Sequence, residues 1–431
     1  MIVIEISLQH CGAKGLYFHM LKRAGDLMQV AVLGCGTVGT TAIKTLDALG
    51  IFDTITVGDI NVQYAENVAN TCSCETFCVK CNAENPRQLR EVMKSSDVVL
   101  NCVGPFYKYG PLILTAALEE GVNYVDVCDD LDATLEQLKL HQKAIQSDVS
   151  ALIGMGSSPG LANVLVKFCE NFLDVTSVDI YHAHGGEETE GAAVVKHRIH
   201  SMKMDIPVFL NGALQYVRLF EKSGQALEDE CEFPGVGTYQ VYAYPHPETI
   251  TLPQHIARVQ RVTNLGLVLP LEYAELIKGV VRLGITGEEP ITVNGKNVIP
   301  LDFAVAFILS QREQLLKDAG FTEPMGSLKI VVGGERDGKK EKYVFALGSR
   351  GQGMGEGTGI PAAIGAALMA QGKITKKGVL PPEACVNPLE VLSLAAKVLQ
   401  STGKGELPFI IERIDEQGNK TEIDYKKIFP L

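Results

Sequence analysis

The sequence predicts an α/β protein: a doubly wound parallel sheet with an inserted α+β domain. Three observations carry that expectation. A turn with G-x-G-x-x-G spacing, Gly34, Gly36 and Gly39, joins an apolar run to a helical run early in the chain. Short apolar runs then alternate with helical segments as far as Ile153, the pattern of strands and crossover helices. After Phe172 the texture changes to strands and hairpins, and a nearly uncharged helical stretch, Thr358 to Gln371, returns late in the chain.

Gln29 to Leu33 reads as a buried strand, followed by the glycine turn and a helix to Leu49. Thr54 to Val57 is a second strand, ending at Asp59. The turn has a mechanical reading. The first glycine permits the tight bend, the second lets the backbone approach a pyrophosphate, and the third lets helix and strand pack closely. The pyrophosphate then lies at the positive end of the helix. Asp59, about 20 residues beyond the last glycine, stands where a carboxylate holds the ribose hydroxyls of NAD. The pattern is that of a Rossmann-type site with Gly34, Gly36, Thr37, Val38, Gly39 and Asp59 as cofactor contacts. The charge of Asp59 opposes a 2′-phosphate, and neither Ile60 nor Asn61 offsets it, so NAD is favoured and NADP is the alternative.

The alternation continues. Val62 to Asn70 is helical, a third strand lies at Phe77 to Val79, and Pro86 to Lys94 is helical. Asp97 to Val103 is a fourth strand, apolar enough to be covered on both faces. Tyr109 to Glu120 is a helix closed by Gly121, and Tyr124 to Val127 a fifth strand. Asp130 suits the cap of one helix, Leu131 to Gln146, whose Leu131, Leu135, Leu138 and Ile145 share a face. Ser150 to Ile153 is a sixth strand, and Pro159 and Gly160 open another helix.

Ligands of such sheets bind at the carboxyl ends of the strands, where strand order reverses. Three loops converge there. The fourth strand delivers Val103, Gly104, Pro105 and Phe106 toward the cofactor and Tyr107 toward substrate. The fifth delivers Asp126, Asp129 and Asp130, and the sixth delivers Gly154 to Asn163.

The second domain opens with a strand, Val175 to His182, and a flexible acidic loop, Gly185 to Gly191. Lys196, His197, Arg198 and His200 then cluster, and Arg198 suits a substrate carboxylate because arginine grips carboxylates bidentately. Tyr239 to Ala243 reads as a strand leading into a fixed loop, Pro245 to Pro253, that presents His246. Ala257 to Thr263 is a strand, and Lys329 to Val332 pairs with Lys342 to Leu347 through Asp337-Gly338. Pro381 to Gln400 is a helix, and Leu407 to Tyr425 a hairpin turning at Gln417-Gly418-Asn419. The expected organisation is an N-terminal extension over 1–27, a nucleotide domain from 28–155 and 355–400, a substrate and dimerisation domain over 156–354, and a C-terminal hairpin and tail over 401–431.

The 431 residues carry a net charge of −12, which argues against a nucleic-acid groove. Val149 to Val166 lacks charge, but Gly154, Gly156, Pro159 and Gly160 make it a strand, loop and helix rather than a membrane span. Eleven cysteines with no secretory signal before them fit a reducing cytoplasm. Cys72, Cys74, Cys78 and Cys81 match no usual zinc spacing and read as small core residues, so no metal is expected.

The chain resembles the saccharopine dehydrogenase family, and within it lysine 6-dehydrogenase-like enzymes. The resemblance rests on the order of VLGCGTVG at 32–39, DVVLNCVGPFYKYG at 97–110, GVNYVDV at 121–127 and GSSPGLAN at 156–163. YPHPETITLP at 244–253, VVGGERDGKK at 331–340 and GTGIPAAIGAALMAQGKITKKGVLPPE at 357–383 complete it. It implies a nicotinamide enzyme oxidising an amine carbon, or reducing an imine, on an amino-acid substrate. It gives Ser158, Pro159, Gly160 and Asn163 a substrate-binding role and Gly104 to Tyr107 a cofactor contact. His200, Ser201, His246 and Glu248 lie in segments similar to lysine dehydrogenases. Cys81 departs from the family, standing where many members have an aspartate before the adenine pocket.

Oxidising an amine needs a base within hydrogen-bond reach of the nitrogen, and Asp126 and His246 are the candidates. His200 joins Arg198, Tyr107 and Asp129 as expected substrate contacts. The leading expectation is an NAD-linked lysine 6-dehydrogenase-like enzyme, cytoplasmic and homodimeric. A saccharopine- or carboxynorspermidine-forming imine reductase, and a dinucleotide-binding protein without turnover, are the alternatives.

Overall fold

A computed structural model describes residues 27–186, 191–351, 354–401 and 409–424. The expected N-terminal extension lies, but for residue 27, outside the described residues, as do positions 187–190 of the acidic loop.

The first sheet has seven parallel strands in the order β17-β6-β5-β4-β1-β2-β3. These are β1 (Gln29–Leu33), β2 (Thr54–Asp59), β3 (Glu75–Lys80), β4 (Val98–Asn101), β5 (Asn123–Asp126), β6 (Ser150–Leu152) and β17 (Gly378–Leu380). All five residues of β1 are buried, as a central strand covered on both faces requires. Strand order reverses between β1 and β4, where Val30 pairs with Val98. The helix Met354–Ala370 lies against Thr37–Leu49 through small residues: a Cβ on Gly359 would come within 2.7 Å of the Val38 carbonyl oxygen.

The second sheet has ten strands. Its main path is β10-β11-β12-β7-β15-β16-β18-β19, with β8 (Ile206–Leu210) on β12 and β9 (Ala213–Val217) on β8. The path comprises β7 (Asp174–Gly185), β10 (Asp229–Phe233), β11 (Gly237–Ala243), β12 (Arg261–Leu269), β15 (Met325–Arg336), β16 (Lys339–Arg350), β18 (Ile410–Ile414) and β19 (Lys420–Glu422). β7 pairs with β12 in parallel and with β15 antiparallel. The β15–β16 hairpin turns at Asp337 (φ 52°) and Gly338 (φ 76°), the pair of left-handed residues that a tight hairpin demands. A separate hairpin joins β13 (Ile291–Val293) to β14 (Lys296–Val298).

Several expected elements differ. The single helix over 131–146 is two, Leu131–Lys139 and His141–Gln146, and Leu135 and Ile145 are exposed. The His141 ring is drawn to β17, where its Nδ1 lies 3.0 Å from the Val379 carbonyl oxygen, so a tertiary contact overrides helical continuity. The stretch over 381–400 breaks likewise into Pro382–Cys385 and Pro388–Ser401. Part of the expected loop over 245–253 is a helix, Glu248–His255. β12 starts later than expected, and β17, three residues long, carries too short a signal to read.

Candidate active site

The glycine turn is built for a dinucleotide. Gly34 has φ +90°, and a Cβ there would lie 2.9 Å from the Cys102 carbonyl oxygen. A Cβ on Gly39 would lie 1.8 Å from the Gly34 carbonyl oxygen, so strand and helix meet there only without a side chain. Gly36 faces open space, with nothing within 4 Å of a Cβ, at the N-terminus of the helix Thr37–Leu49. An open backbone at a helix N-terminus fits a pyrophosphate. Asp59 binds the same turn: its Oδ2 accepts from the Cys35 amide and its Oδ1 from the Asn61 amide, both at 2.7 Å.

Asp126 takes a different part from the base expected of it. It is fully buried. Oδ1 accepts from the amides of Cys128 at 3.0 Å and Gly154 at 2.8 Å. Oδ2 accepts from Tyr124 Oη at 2.9 Å and Gln137 Nε2 at 2.5 Å. Burial pushes its carboxyl up while those four bonds hold it down. Asn101 extends the network, donating to Tyr124 Oη and accepting from the Val103 amide, each at 2.9 Å. With its acceptor sites engaged, Asp126 clamps the loops after β4, β5 and β6 and does not face the cleft.

That cleft, of about 590 Å³, lies between the two sheets. The β4 loop lines it with Gly104, Pro105 and Phe106, the β5 loop with Asp129 and Asp130, and the β6 loop with Ser157 and Ser158. The second domain contributes His182 and His184 of β7, His197 and Arg198 of the helix Ala192–Lys203, and Tyr244 and His246 beyond β11.

The core of the site is a buried pair. His246 Nδ1 donates to Glu248 Oε2 at 2.6 Å, and Ser158 Oγ donates to Glu248 Oε1. Glu248 opens its helix, and Thr249 Oγ1 donates to the His246 carbonyl at 2.9 Å, fixing the turn between them. Burial alone would push His246 down, but the charge and hydrogen bond of Glu248 raise it above its ordinary value. Burial alone would push Glu248 up, but His246 and Ser158 hold it below the usual carboxylate range.

Two further imidazoles stay neutral. Burial, then the charge of His246, drives His182 down to about 3, and burial and Arg198 drive His184 well down. The His182 ring lies 5.6 Å from that of His246 and edge-on to Tyr244 at 5.0 Å. Gly266 makes this possible: a Cβ there would sit 2.1 Å from the His182 ring. Neither histidine was a sequence candidate. Their i, i+2 spacing in Tyr181-His182-Ala183-His184 is the signal that marks them, since alternate strand residues share a face.

Among the expected substrate residues the structure brings Asp129, Ser158 and buried Arg198 to the cleft, and the other five, Tyr107, His200, Pro159, Gly160 and Asn163, differ. Asp130 is no solvated cap: its carboxylate accepts from the Tyr107 amide at 3.0 Å and lies 3.1 Å from His197 Nδ1. Tyr107 lines only an adjoining side pocket of about 30 Å³. His200 lines the same side pocket and not the cleft, its side chain 61% exposed and 3.6 Å from Asp132. Pro159, Gly160 and Asn163 are buried and do not line the cleft. Gly160 has φ +123° with Gly156 packed where a side chain would go, and Asn163 Oδ1 accepts from its amide at 2.9 Å. The cysteines expected in the core divide between Cys81, buried, and Cys72, Cys74 and Cys78, half-buried against the first sheet's core.

Comparison with known proteins follows this geometry. Residues 30–152 match the saccharopine dehydrogenase NADP binding domain, and residues 156–404 the saccharopine dehydrogenase C-terminal domain. The carboxyaminopropylagmatine dehydrogenase of Synechocystis is 22% identical over 82% of this chain and 92% of its own length. The human saccharopine dehydrogenase-like oxidoreductase is 33% identical over 27% of this chain and 28% of its own. Apo saccharopine dehydrogenase (L-Glu forming) from Saccharomyces cerevisiae shares the fold, with a TM-score of 0.62 and 15% identity over 92% of this chain and all of that one. With both family domains matched in order over nearly the whole described chain, the protein belongs to the saccharopine dehydrogenase family and is an oxidoreductase with an NADP-binding domain.

Proposed function

We propose that the chain oxidises an amine carbon, or reduces the corresponding imine, on a substrate bearing one carboxylate and a cationic amine. The observation that carries this reading is the buried His246–Glu248 pair opening on the cleft beside the cofactor loops. Gly34 to Gly39 would hold the dinucleotide, which would supply hydride exchange with the carbon bonded to nitrogen. His246 exchanges the proton. Its Nδ1 is committed to Glu248, leaving Nε2 for the substrate nitrogen, and Glu248 stabilises the imidazolium that forms. Ser158 holds Glu248 in place.

Charge supports the substrate class. Among the described residues the cleft is lined by one guanidinium, Arg198, and two carboxylates, Asp129 and Asp130. Arg198 suits one carboxylate, and Asp129, exposed there, suits a cationic amine. His182 and His184, neutral, do not repel that cation. Lysine meets this description in a lysine 6-dehydrogenase-like reaction. A condensed secondary amine joining a carboxylate to a polyamine-like chain also meets it, and the name of the Synechocystis relative favours that second reading. Saccharopine, with more than one carboxylate to hold, fits less well.

The test is reduction of NAD and of NADP, in parallel, by the full-length protein with a panel of amino acids and polyamines at alkaline pH. The reverse assay offers reduced cofactor with an amine plus an aldehyde or keto acid. Turnover on lysine alone establishes the first reading, and turnover only with the condensed pair establishes the second. Cofactor binding without turnover on any amine or imine overturns both. Asp59 places a negative charge against a 2′-phosphate, so we expect NAD to be the better substrate; a higher kcat/KM for NADP would refute that. Replacing His246 with glutamine should lower kcat by about 10²- to 10⁴-fold, and unchanged turnover would remove His246 from the chemistry.

A further inference from the structure

The reading of His246 as the proton-transfer group leaves a second buried carboxyl unused. Glu383 lies in the short helix Pro382–Cys385 and is 2% exposed. Asn163 Nδ2 donates to its Oε2 at 2.8 Å, a contact spanning 220 positions of sequence. The other end of Asn163 accepts from the Gly160 amide, closing the loop whose Ser158 donates to Glu248. Thr251, one turn beyond Glu248 on the same helix, faces Glu383. Two routes therefore run from Glu383 to Glu248, one through Asn163 and the β6 loop, the other along the helix.

We propose that Glu383 is a positioning residue for the His246–Glu248 pair, anchoring through Asn163 the loop whose Ser158 holds Glu248. The proposal rests on the function proposed above only for its catalytic consequence, since the coupling itself is a property of the folded protein.

The surroundings favour the neutral form. The helix Leu161–Cys169 brings Lys167, engaged with Glu170 at 2.6 Å, and the buried thiol of Cys169. The helix Glu248–His255 brings Glu248 and His255. The chain around Glu383 brings Cys385, a thiol that burial pushes up to about 12, and Lys376, whose Nζ lies 3.4 Å from the Ala384 carbonyl oxygen. Burial raises Glu383 to about 7 and the charge of Glu248 adds to the rise, against the neighbouring Thr251 and the hydrogen bond of Asn163. A neutral carboxyl accepts from Asn163 without placing a second negative charge beside Glu248, whose charge is then available to His246 alone.

The test follows the Cε1–H resonance of His246 by NMR as pH is raised, in the full-length wild-type protein, Glu383→Gln and Glu383→Ala. In wild type the midpoint should lie above 6.5. Glu383→Gln mimics the neutral acid and keeps an oxygen for Asn163 to donate to, so its midpoint should also stay above 6.5. Glu383→Ala, which strands Asn163, should bring the midpoint down to 6.5 or below. A midpoint of 6.5 or below in Glu383→Gln, or one that stays raised in Glu383→Ala, would overturn the proposal. Should Glu383→Ala not fold, Asn163→Ala, which removes the donor to Glu383, takes its place with the same expected loss. Full turnover in the His246→Gln variant would defeat the proposed chemistry while leaving this titration as a separate measure of Glu383.

Discussion

At the scale of the residue, two buried carboxylates divide the labour that sequence reasoning could not apportion. Glu248 and His246 stabilise each other as an ion pair, and the directions of their shifts set the pH window. His246 is raised, so its contribution is whole below 6.5 and is lost as pH climbs through the folded value. Glu248 is lowered, so its contribution is whole above 4.5 and is lost as pH falls through its folded value. Unfolding free energies of wild type and Glu248→Gln should therefore differ most between pH 4.5 and 6.5 and converge on either side. A difference that keeps growing above neutral pH would contradict the pairing. Asp126 belongs to stability instead. Asp126→Ala strands the amides of Cys128 and Gly154 and the donors on Tyr124 and Gln137, at a cost of at least about 3 kcal/mol in denaturant unfolding. Its aspartate at a strand end was legible in the sequence, but which way the carboxylate turns was not. That depends on Gln137 and Gly154, brought to it only by the fold.

At the scale of the element, local pattern and tertiary contact separate cleanly. The six strands of the nucleotide half up to Leu152 and the Asp337-Gly338 hairpin were readable because apolar periodicity and turn chemistry are local. The break at Leu140, the helix at Glu248 and the strand β17 were not, because each answers to a distant partner: Val379 for His141, Ser158 for Glu248, and β6 for β17. The same dependence governs how the helix Met354–Ala370 docks. Gly355 and Gly359 let it touch Thr37 and Val38 at the start of the dinucleotide helix. In Gly359→Ala the added carbon would meet the Val38 carbonyl oxygen at 2.7 Å and nearby atoms of Thr41 and Ala42, and backbone cannot step aside as a flexible side chain can. We expect a stability loss of about 1–3 kcal/mol together with weaker cofactor binding, both visible in thermal melts with and without NADP. A variant that melts and binds as wild type would mean that the two helices are not held at this distance.

At the scale of the whole molecule, the cofactor turn is also a means of reading stability. Anything that binds only the folded state adds RT ln(1 + [L]/Kd), about 2.7 kcal/mol at a ligand concentration one hundred times Kd. The pyrophosphate cradle lies at the carboxyl end of the first sheet, and the helix returning from the second domain packs on its first turn, so bound dinucleotide should raise the melting of both halves together. Gly36 and Gly39 separate ligand from fold. A Cβ on Gly39 meets the Gly34 carbonyl oxygen at 1.8 Å, so Gly39→Ala should destabilise the protein with no ligand present. A Cβ on Gly36 meets nothing within 4 Å and should leave the ligand-free melting temperature unchanged. It stands, however, where the pyrophosphate must approach the backbone, so Gly36→Ala should lose most of the rise in melting temperature that saturating NAD or NADP gives the wild type. An undiminished rise in Gly36→Ala would move the pyrophosphate away from this turn, and with it the argument that sets the cofactor beside the cleft that His246 lines.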